Sequence, residues 1–346
     1  MFITTRAKAL DRILIVNVNW LGDVLFSTPA IRALRKRFPE SYIACLLPSR
    51  LKSVFENNPY VDEVLTYDPG TFFFSLLKYA GLILKIRKDR FETAIFFHAS
   101  RTKIFLTMLG GVKQRIGFGV PSKRNLLTAV YPHPGGHVHR TDVFLNLVGH
   151  LGIPQDGRTP DFFPKKGAEA ELGHLLQSLS IQKREPYAVV HAGGNWPLKR
   201  WPARYFAEWI RLFRKKFGWK VFLCGTAGEE NISQAIRKGM NDPGVISLCG
   251  KTSVDTLAIL LRGAKLLLSN DSGPIHLAAS QKTKILGLFG PTSENITGPL
   301  SDGPVRILRK AVGCEVPCYF RSCDTRICLD WLTPGEVFEE TRELLK

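Results

Sequence analysis

The sequence of 346 residues lacks long apolar runs, low-complexity tracts and short internal repeats. A membrane-spanning helix needs about 20 consecutive apolar residues. The most apolar stretch, residues 72–86, is shorter than that and is interrupted by Lys78, so we expect it to form a buried or interfacial helix. These absences argue against a transmembrane protein, a repeat solenoid and a disordered chain.

Several well-known binding patterns are absent as well. There is no G-x-x-x-x-G-K-[ST] P-loop, and no G-x-G-x-x-G follows a predicted strand, which disfavours a nicotinamide or flavin site. The sequence contains no D-x-D triplet either. No helix-turn-helix, zinc-finger or RNP pattern is present, which disfavours a nucleic-acid-binding protein.

Residues 1–11 lack the apolar segment and cleavage site of a secretory signal, so we expect a cytoplasmic protein. Seven cysteines in such a chain favour reduced thiols over a disulfide framework. Four of them follow the spacing C-x₃-C-x₄-C-x₄-C near the C-terminal end: Cys314, Cys318, Cys323 and Cys328. Zinc sites usually pair their cysteines more closely around a longer loop. Inert thiols are therefore favoured, and a structural metal stays open.

Positive charge is concentrated in the first part of the sequence. The whole chain has 48 basic and 30 acidic residues, and residues 1–150 hold 21 of the former and 10 of the latter. Such a field predicts an anionic partner: an anionic membrane, a phosphorylated lipid or nucleic acid. A general solubility charge is the alternative interpretation.

Short β-branched runs alternate with helical patterns, which indicates βαβ units and parallel sheets. The clearest predicted strands are residues 12–18, 42–47, 64–67, 93–97, 187–191, 220–224, 265–269 and 284–289. The segment 153–167, rich in Pro and Gly, is the candidate linker. We therefore predict an α/β fold of two facing Rossmann-like domains, residues 1–160 and residues 161–346.

The first candidate site segment, residues 19–23 (NWLGD), follows the first predicted strand. Ligands of open α/β sheets bind at such strand-to-helix turns. Asp23 is therefore a candidate general base facing an interdomain cleft. The alternative is that Asp23 only caps the helix that follows.

The second candidate segment also follows a predicted strand. The backbone N–H groups of Gly193 and Gly194 could cradle an anion, and Lys199 and Arg200 supply positive charge for phosphate oxygens. A solvated loop with ordinary surface cations is the alternative. After the next strand, Glu229 could accept hydrogen bonds from ribose hydroxyls, although a glutamate in a first helical turn needs no ligand.

The third candidate segment, residues 269–276, ends a strand and opens a helix. The helix N-terminus beginning at Ser272 and Gly273 would favour a phosphate group. Alternatively, Asp271 or Ser272 serves only as the N-cap, and His276 is a core histidine with satisfied hydrogen bonds.

Taken together, these motifs resemble the ADP-heptose:lipopolysaccharide heptosyltransferases, glycosyltransferase family 9, over nearly the whole chain. The resemblance rests on motifs in family order: residues 19–23 with 27–34, residues 199–202, residues 225–229, residues 271–273 with His276, and residues 290–292. The cysteine-bearing tail resembles the heptosyltransferase II branch of that family.

The resemblance implies a GT-B architecture, inversion at the anomeric carbon and no required metal or other cofactor. It implies an acceptor-binding first domain and a donor-binding second domain, with ADP-heptose as donor and a Kdo-containing or heptosylated lipid A as acceptor at the cytoplasmic membrane surface, and no nucleic acid partner. The implied roles by position are Asp23 as catalytic base, Lys199 on the donor phosphates, Glu229 on the ribose, Asp271 on the heptose, and Ser272 and Gly273 on the diphosphate. Gly193, Gly194 and His276 are further candidate donor-binding residues.

Two other functions remain open from the sequence. A nucleotide-sugar 2-epimerase shares the two-domain fold and would consume a donor without any acceptor. A non-enzymatic basic protein that binds anionic lipid or nucleic acid would also carry a large positive charge.

Overall fold

The computed structural model describes residues 10–68, 72–119, 126–181, 185–320 and 322–346, without the side chains of residues 72–78. The chain divides into two compact units, Met1–Phe163 and Pro164–Lys346. The division falls inside the proline- and glycine-rich segment 153–167. Each unit has its own sheet and its own apolar core.

The first unit is built on a six-stranded parallel sheet with the order β3-β2-β1-β4-β5-β6. Its strands are β1 (Arg12–Val16), β2 (Tyr42–Pro48), β3 (Glu63–Tyr67), β4 (Thr93–Phe96), β5 (Gln114–Phe118) and β6 (Ala129–Tyr131). Its helices are α1 (Leu21–Arg37), α2 (Ser53–Glu56), α3 (Phe72–Asp89), α4 (Arg101–Leu109) and α5 (Arg140–Gly149). Because β1 pairs with β2 and β4, residues 13–16 are fully buried, which explains their continuous apolar character.

The second unit repeats this topology with the order β12-β11-β10-β7-β8-β9. Its strands are β7 (Tyr187–His191), β8 (Lys220–Leu223), β9 (Val245–Ser247), β10 (Leu266–Asn270), β11 (Ile285–Leu288) and β12 (Val305–Leu308). Its helices are α6 (Ala168–Ser178), α7 (Ala203–Phe217), α8 (Glu230–Arg237), α9 (Val254–Gly263), α10 (Gly273–Ser280), α11 (Glu294–Thr297), α12 (Ile327–Asp330) and α13 (Pro334–Leu345). The predicted α/β class with two Rossmann-like parallel sheets is confirmed.

The strand order of each sheet reverses beside the first strand of its unit, between β1 and β4 and between β7 and β10. Ligands of open parallel sheets bind outside the carboxyl ends of the strands at such reversal points. The candidate segments 19–23, 193–199 and 271–273 all follow one of these four strands. The topology therefore brings each candidate segment to the binding edge of its own sheet.

The sequence patterns missed four strands, β5, β6, β9 and β12. Three of them, β6, β9 and β12, form sheet edges. Edge strands are covered on fewer sides, and no residue of β6 or β12 is fully buried. These edge strands are also only three or four residues long, which is too short for a strand pattern to be recognised.

The apolar stretch 72–86 lies within α3. On the part of α3 whose side chains are described, Tyr79 and Ile86 pack into the core of the first unit, whereas Leu84 is exposed. Across the described ranges of the chain, no helix combines the length and the apolar character that crossing a bilayer requires.

Candidate active site

Asp23 lies in the first turn of α1, directly after the turn that leaves β1. Trp20 occupies the N-cap position of this helix and its side chain makes no capping hydrogen bond, so Asp23 is not the N-cap residue. A carboxylate in a first turn is stabilised by the helix dipole. Asp23 therefore lies, at the carboxyl end of β1, where the helix dipole favours a negative charge.

A pocket of about 430 Å³ opens beside Asp23 within the first unit. Aromatic and cationic side chains share its wall with the carboxylate: Phe96, Phe97, His98, Phe118, His133, Arg140 and Phe144. Burial and then the charge of Arg140 hold the pKa of His133 below its usual value. The pocket thus combines one candidate base with a permanent cation, which suits a polar substrate that carries negative charge.

In the second unit, the turn after β7 is shaped by its two glycines. A Cβ atom on Gly193 would lie 1.9 Å from Oε1 of Glu229, so no other residue fits without moving that carboxylate. Gly194 has a φ of 146°, a backbone conformation that residues with a side chain rarely adopt. The Gly194 carbonyl accepts two hydrogen bonds from Arg200, at 2.9 and 2.6 Å. Arg200 therefore braces the glycine turn.

Glu229 joins this turn to the one after β8. Its Oε1 accepts from the Gly194 N–H at 2.8 Å, and its Oε2 accepts from the N–H and the hydroxyl of Thr226 at 2.8 and 3.0 Å. Burial raises the pKa of Glu229, but attraction to His191 and these N–H donors outweigh it, and the pKa lies below the usual value. The carboxylate is therefore ionised and fixed in orientation.

Lys199 and Asp271 form an ion pair, with Nζ 2.8 Å from Oδ2. The Asp271 side chain is only 4% exposed and also accepts from the Thr297 hydroxyl at 3.3 Å. The pair connects the turn after β7 to the carboxyl end of β10. The Lys199 ammonium group is thus held in one orientation by Asp271 and is largely buried. The interpretation of this residue as an ordinary surface cation is wrong.

The N-terminus of α10 lies next to this pair in sequence. Ser272 is its N-cap, but its hydroxyl donates to the Asn270 carbonyl at 3.1 Å and makes no capping bond to the first-turn N–H groups. Gly273 is the first residue of the helix, and His276 is buried in its first half. The N–H groups at the start of α10 consequently have no side-chain acceptor from Ser272, so an anion could occupy that position.

Asn270 organises these segments, and the sequence reasoning assigned it no role. Its amide group donates to the carbonyls of Ala192 and Gly193 at 2.8 and 3.1 Å and accepts from the Trp201 N–H at 3.1 Å. This fully buried amide therefore holds the turn after β7 against the end of β10. A polar residue closing an otherwise apolar strand was the sequence signal that could have marked it.

Four thiols line a second pocket of about 320 Å³ in the second unit: Cys314, Cys318, Cys323 and Cys328. None is buried, in contrast to Cys45 and Cys224. Hydrogen bonds from the backbone N–H groups of Arg326 and Thr325 lower the pKa of Cys323. Within the described ranges, no three His, Cys, Asp or Glu side chains are placed to hold a metal ion.

The sequence matches the family model "Glycosyltransferase family 9 (heptosyltransferase)" over residues 82–322. It is 34% identical to the "Lipooligosaccharide heptosyltransferase 2" of Campylobacter jejuni, with 94% of this chain and 96% of the relative covered. The "Lipopolysaccharide heptosyltransferase 2" of Escherichia coli is 25% identical, with 96% of this chain and 98% of that protein covered.

Among solved structures, a glycosyl transferase family 9 protein from Veillonella parvula is similar to this chain with a TM-score of 0.87. The two sequences are 23% identical, and the match covers 98% of this chain and 99% of that one. This likeness in fold confirms the predicted GT-B architecture.

Proposed function

This chain belongs to glycosyltransferase family 9, the heptosyltransferases, and from that membership we propose that it transfers heptose from ADP-L-glycero-D-manno-heptose to the inner core of lipopolysaccharide. The transfer would invert the anomeric carbon and need no metal. The observation that carries the proposal is the Lys199–Asp271 pair, placed beside a helix N-terminus that its own N-cap leaves uncapped. This arrangement suits a sugar diphosphate.

Asp23 is proposed as the catalytic base. A sugar hydroxyl is a poor nucleophile at neutral pH, so a positioned carboxylate must accept its proton while the new glycosidic bond forms. Asp23 lines a pocket wide enough for a sugar, and the first turn of α1 favours its ionised form. Attack by the activated hydroxyl on the face opposite the departing diphosphate inverts the anomeric carbon.

Lys199 and the start of α10 are proposed to stabilise the departing ADP. Negative charge collects on the diphosphate as the bond breaks, and preorganised N–H donors and a cation are the groups that stabilise such charge. The Lys199 ammonium group can donate to a phosphate and to Asp271 together, because it has three N–H donors. The N–H groups following Ser272 and Gly273 would contact the diphosphate, and the Asp271 carboxylate would contact the heptose hydroxyls. His276, the fourth residue of this helix, is proposed as a further residue of the donor site.

Glu229 is proposed to bind the ribose of ADP. A carboxylate offers about four acceptor positions, and three of those on Glu229 are taken by Gly194 and Thr226. One position on Oε1 remains for a ribose hydroxyl. Gly193 and Gly194 would let the nucleotide approach the backbone closely, because neither carries a side chain.

The first unit is proposed to bind a Kdo-containing or heptosylated lipid A at the cytoplasmic face of the inner membrane. The acceptor pocket offers Arg140 and His133 to acidic sugars. On α4, Phe105, Met108 and Leu109 are 46%, 39% and 50% exposed. Such an apolar face in a basic region is typical of helices that rest on anionic bilayers. No nucleic acid partner is proposed.

The transfer reaction is tested with purified protein, a panel of ADP- and UDP-activated sugars, and truncated acceptors with Kdo alone or with Kdo and one heptose. We expect turnover only when ADP-heptose and an acceptor are both present, with an inverted linkage by NMR, and undiminished rates in EDTA. Donor consumption without acceptor would instead identify an epimerase-like enzyme, and loss of activity in EDTA would overturn metal independence.

Replacing the proposed base separates catalysis from binding. Asp23→Asn removes the proton acceptor while keeping size, so we expect kcat to fall by about 10²- to 10⁴-fold with ADP affinity unchanged by calorimetry. Asp142→Asn is the matched control, because Asp142 also lies in a first helical turn of this unit, and it should leave kcat unchanged. Equal losses of kcat and ADP affinity in Asp23→Asn would show a structural role.

Lys199→Met is expected to weaken donor binding. A hydrogen bond to a charged group contributes roughly 1.5–3 kcal/mol, so the KM for ADP-heptose should rise about 10- to 100-fold with a smaller change in the acceptor KM. Lys220→Met is the control, because Lys220 pairs with Glu185 at the start of β8 in the same unit. Donor kinetics like those of the control would remove Lys199 from the diphosphate site.

The membrane proposal predicts that replacing Phe105, Met108 and Leu109 together by serine reduces sedimentation with vesicles rich in anionic lipid several-fold. Turnover of a water-soluble acceptor should be unaffected, because the three side chains are not among those that line the Asp23 pocket. The control replaces the exposed Tyr319 and Phe320 of the other unit by serine, which removes apolar surface elsewhere. Unchanged sedimentation of the triple variant would contradict this surface.

A further inference from the structure

Lys103 is a buried cation that the proposed reaction does not use. It lies in the first turn of α4 and is only 3% exposed. Within the described part of the chain no carboxylate lies within ion-pairing distance of it. Lysine is almost never buried without a partner, because removing its charge from water is costly. A side chain kept in such a position calls for an explanation beyond packing.

The hydrogen bonds of the Lys103 ammonium group go to the turn between β1 and α1. Its Nζ donates to the Asn17 carbonyl at 2.6 Å and to Oδ1 of Asn19 at 3.0 Å. The ammonium group also lies 5.3 Å from the centre of the Tyr67 ring. These neutral acceptors and the aromatic face replace part of its hydration. Burial still lowers the pKa of Lys103 to about 8, so the group is mainly charged at neutral pH.

Further hydrogen bonds hold the same turn. The Tyr67 hydroxyl donates to Oδ1 of Asn19 at 2.9 Å, and Arg50 donates to the Asn19 carbonyl. The Asn17 amide donates to the hydroxyl of Ser27 on α1 at 3.0 Å. The turn is thereby fixed to β3 on one side and to α1 on the other. Lys103 is the group that links it to α4.

We propose that Lys103 is a positioning residue for Asp23, acting by holding the turn at Asn17 and Asn19 from which α1 begins. Asp23 is four residues beyond Asn19 on a helix that starts at Leu21, so a shift of the turn moves the start of the helix and its carboxylate together. A misplacement of about 1 Å in a reacting group can lower a rate about 10²-fold. This inference rests on the proposed function of Asp23 as the base.

The test compares Lys103→Met, Asn19→Ala and the double variant by steady-state kinetics with ADP-heptose and a water-soluble acceptor. We expect each single variant to lower kcat about 10- to 100-fold while the donor KM changes less than twofold. Because both changes break the same contact, the double variant should lose no more than the worse single variant. Lys85→Met on α3, where Lys85 pairs with Glu63 and Asp89 at the surface, is the matched control.

A packing role alone would lower the melting temperature and leave kcat of the folded fraction unchanged, and that result would overturn the inference. If Lys103→Met does not fold, Asn19→Ala and Tyr67→Phe decide. Asn19→Ala removes the oxygen that accepts from both Lys103 and Tyr67, whereas Tyr67→Phe removes only the tyrosine bond; full kcat in both would overturn the inference. Asp23→Asn is assayed in parallel. An active Asp23→Asn enzyme rejects the proposed base, whereas an inactive one together with full activity in the turn variants rejects only the role of Lys103.

Discussion

A buried charge must be paired or hydrogen-bonded, and the second unit meets this constraint at Asp271 by pairing it with Lys199. The pair can form only if the turn after β7 lies against the end of β10, and the Asn270 amide holds it there. A diphosphate entering this site would meet a lysine already oriented, so less conformational entropy is lost on binding.

The two units solve the problem of placing functional groups in different ways. The second unit fixes its loops mainly by hydrogen bonds among backbone groups, Asn270 and the ionised Glu229. The first unit fixes the turn before Asp23 by a buried lysine and a tyrosine that share one amide oxygen. In both units the reactive groups stand on the ends of rigid elements, which gives them a defined geometry.

Much of this could be predicted from the sequence. The central strands are continuous apolar runs, and the candidate residues stand where such strands end, so the fold and the three site segments were recognisable. The contact partners of the site residues could not be predicted from the sequence. Nothing local shows that Lys199 meets Asp271 or that Lys103 turns inward, because these contacts join elements far apart in the chain. The edge strands β6 and β12 were missed because three or four residues are too few to form a recognisable strand pattern.

The shared strand order has a consequence for biosynthesis. In each unit the first strand made becomes a central strand, so β1 leaves the ribosome with two edges to fill, and its second neighbour, β4, begins at Thr93. Until then one edge of a strand that is apolar after Arg12 is open to other nascent chains, a state prone to aggregation. The sequence stretch between them, rich in charge around residues 35–37 and 85–90, has to keep the unfinished chain dispersed during that interval.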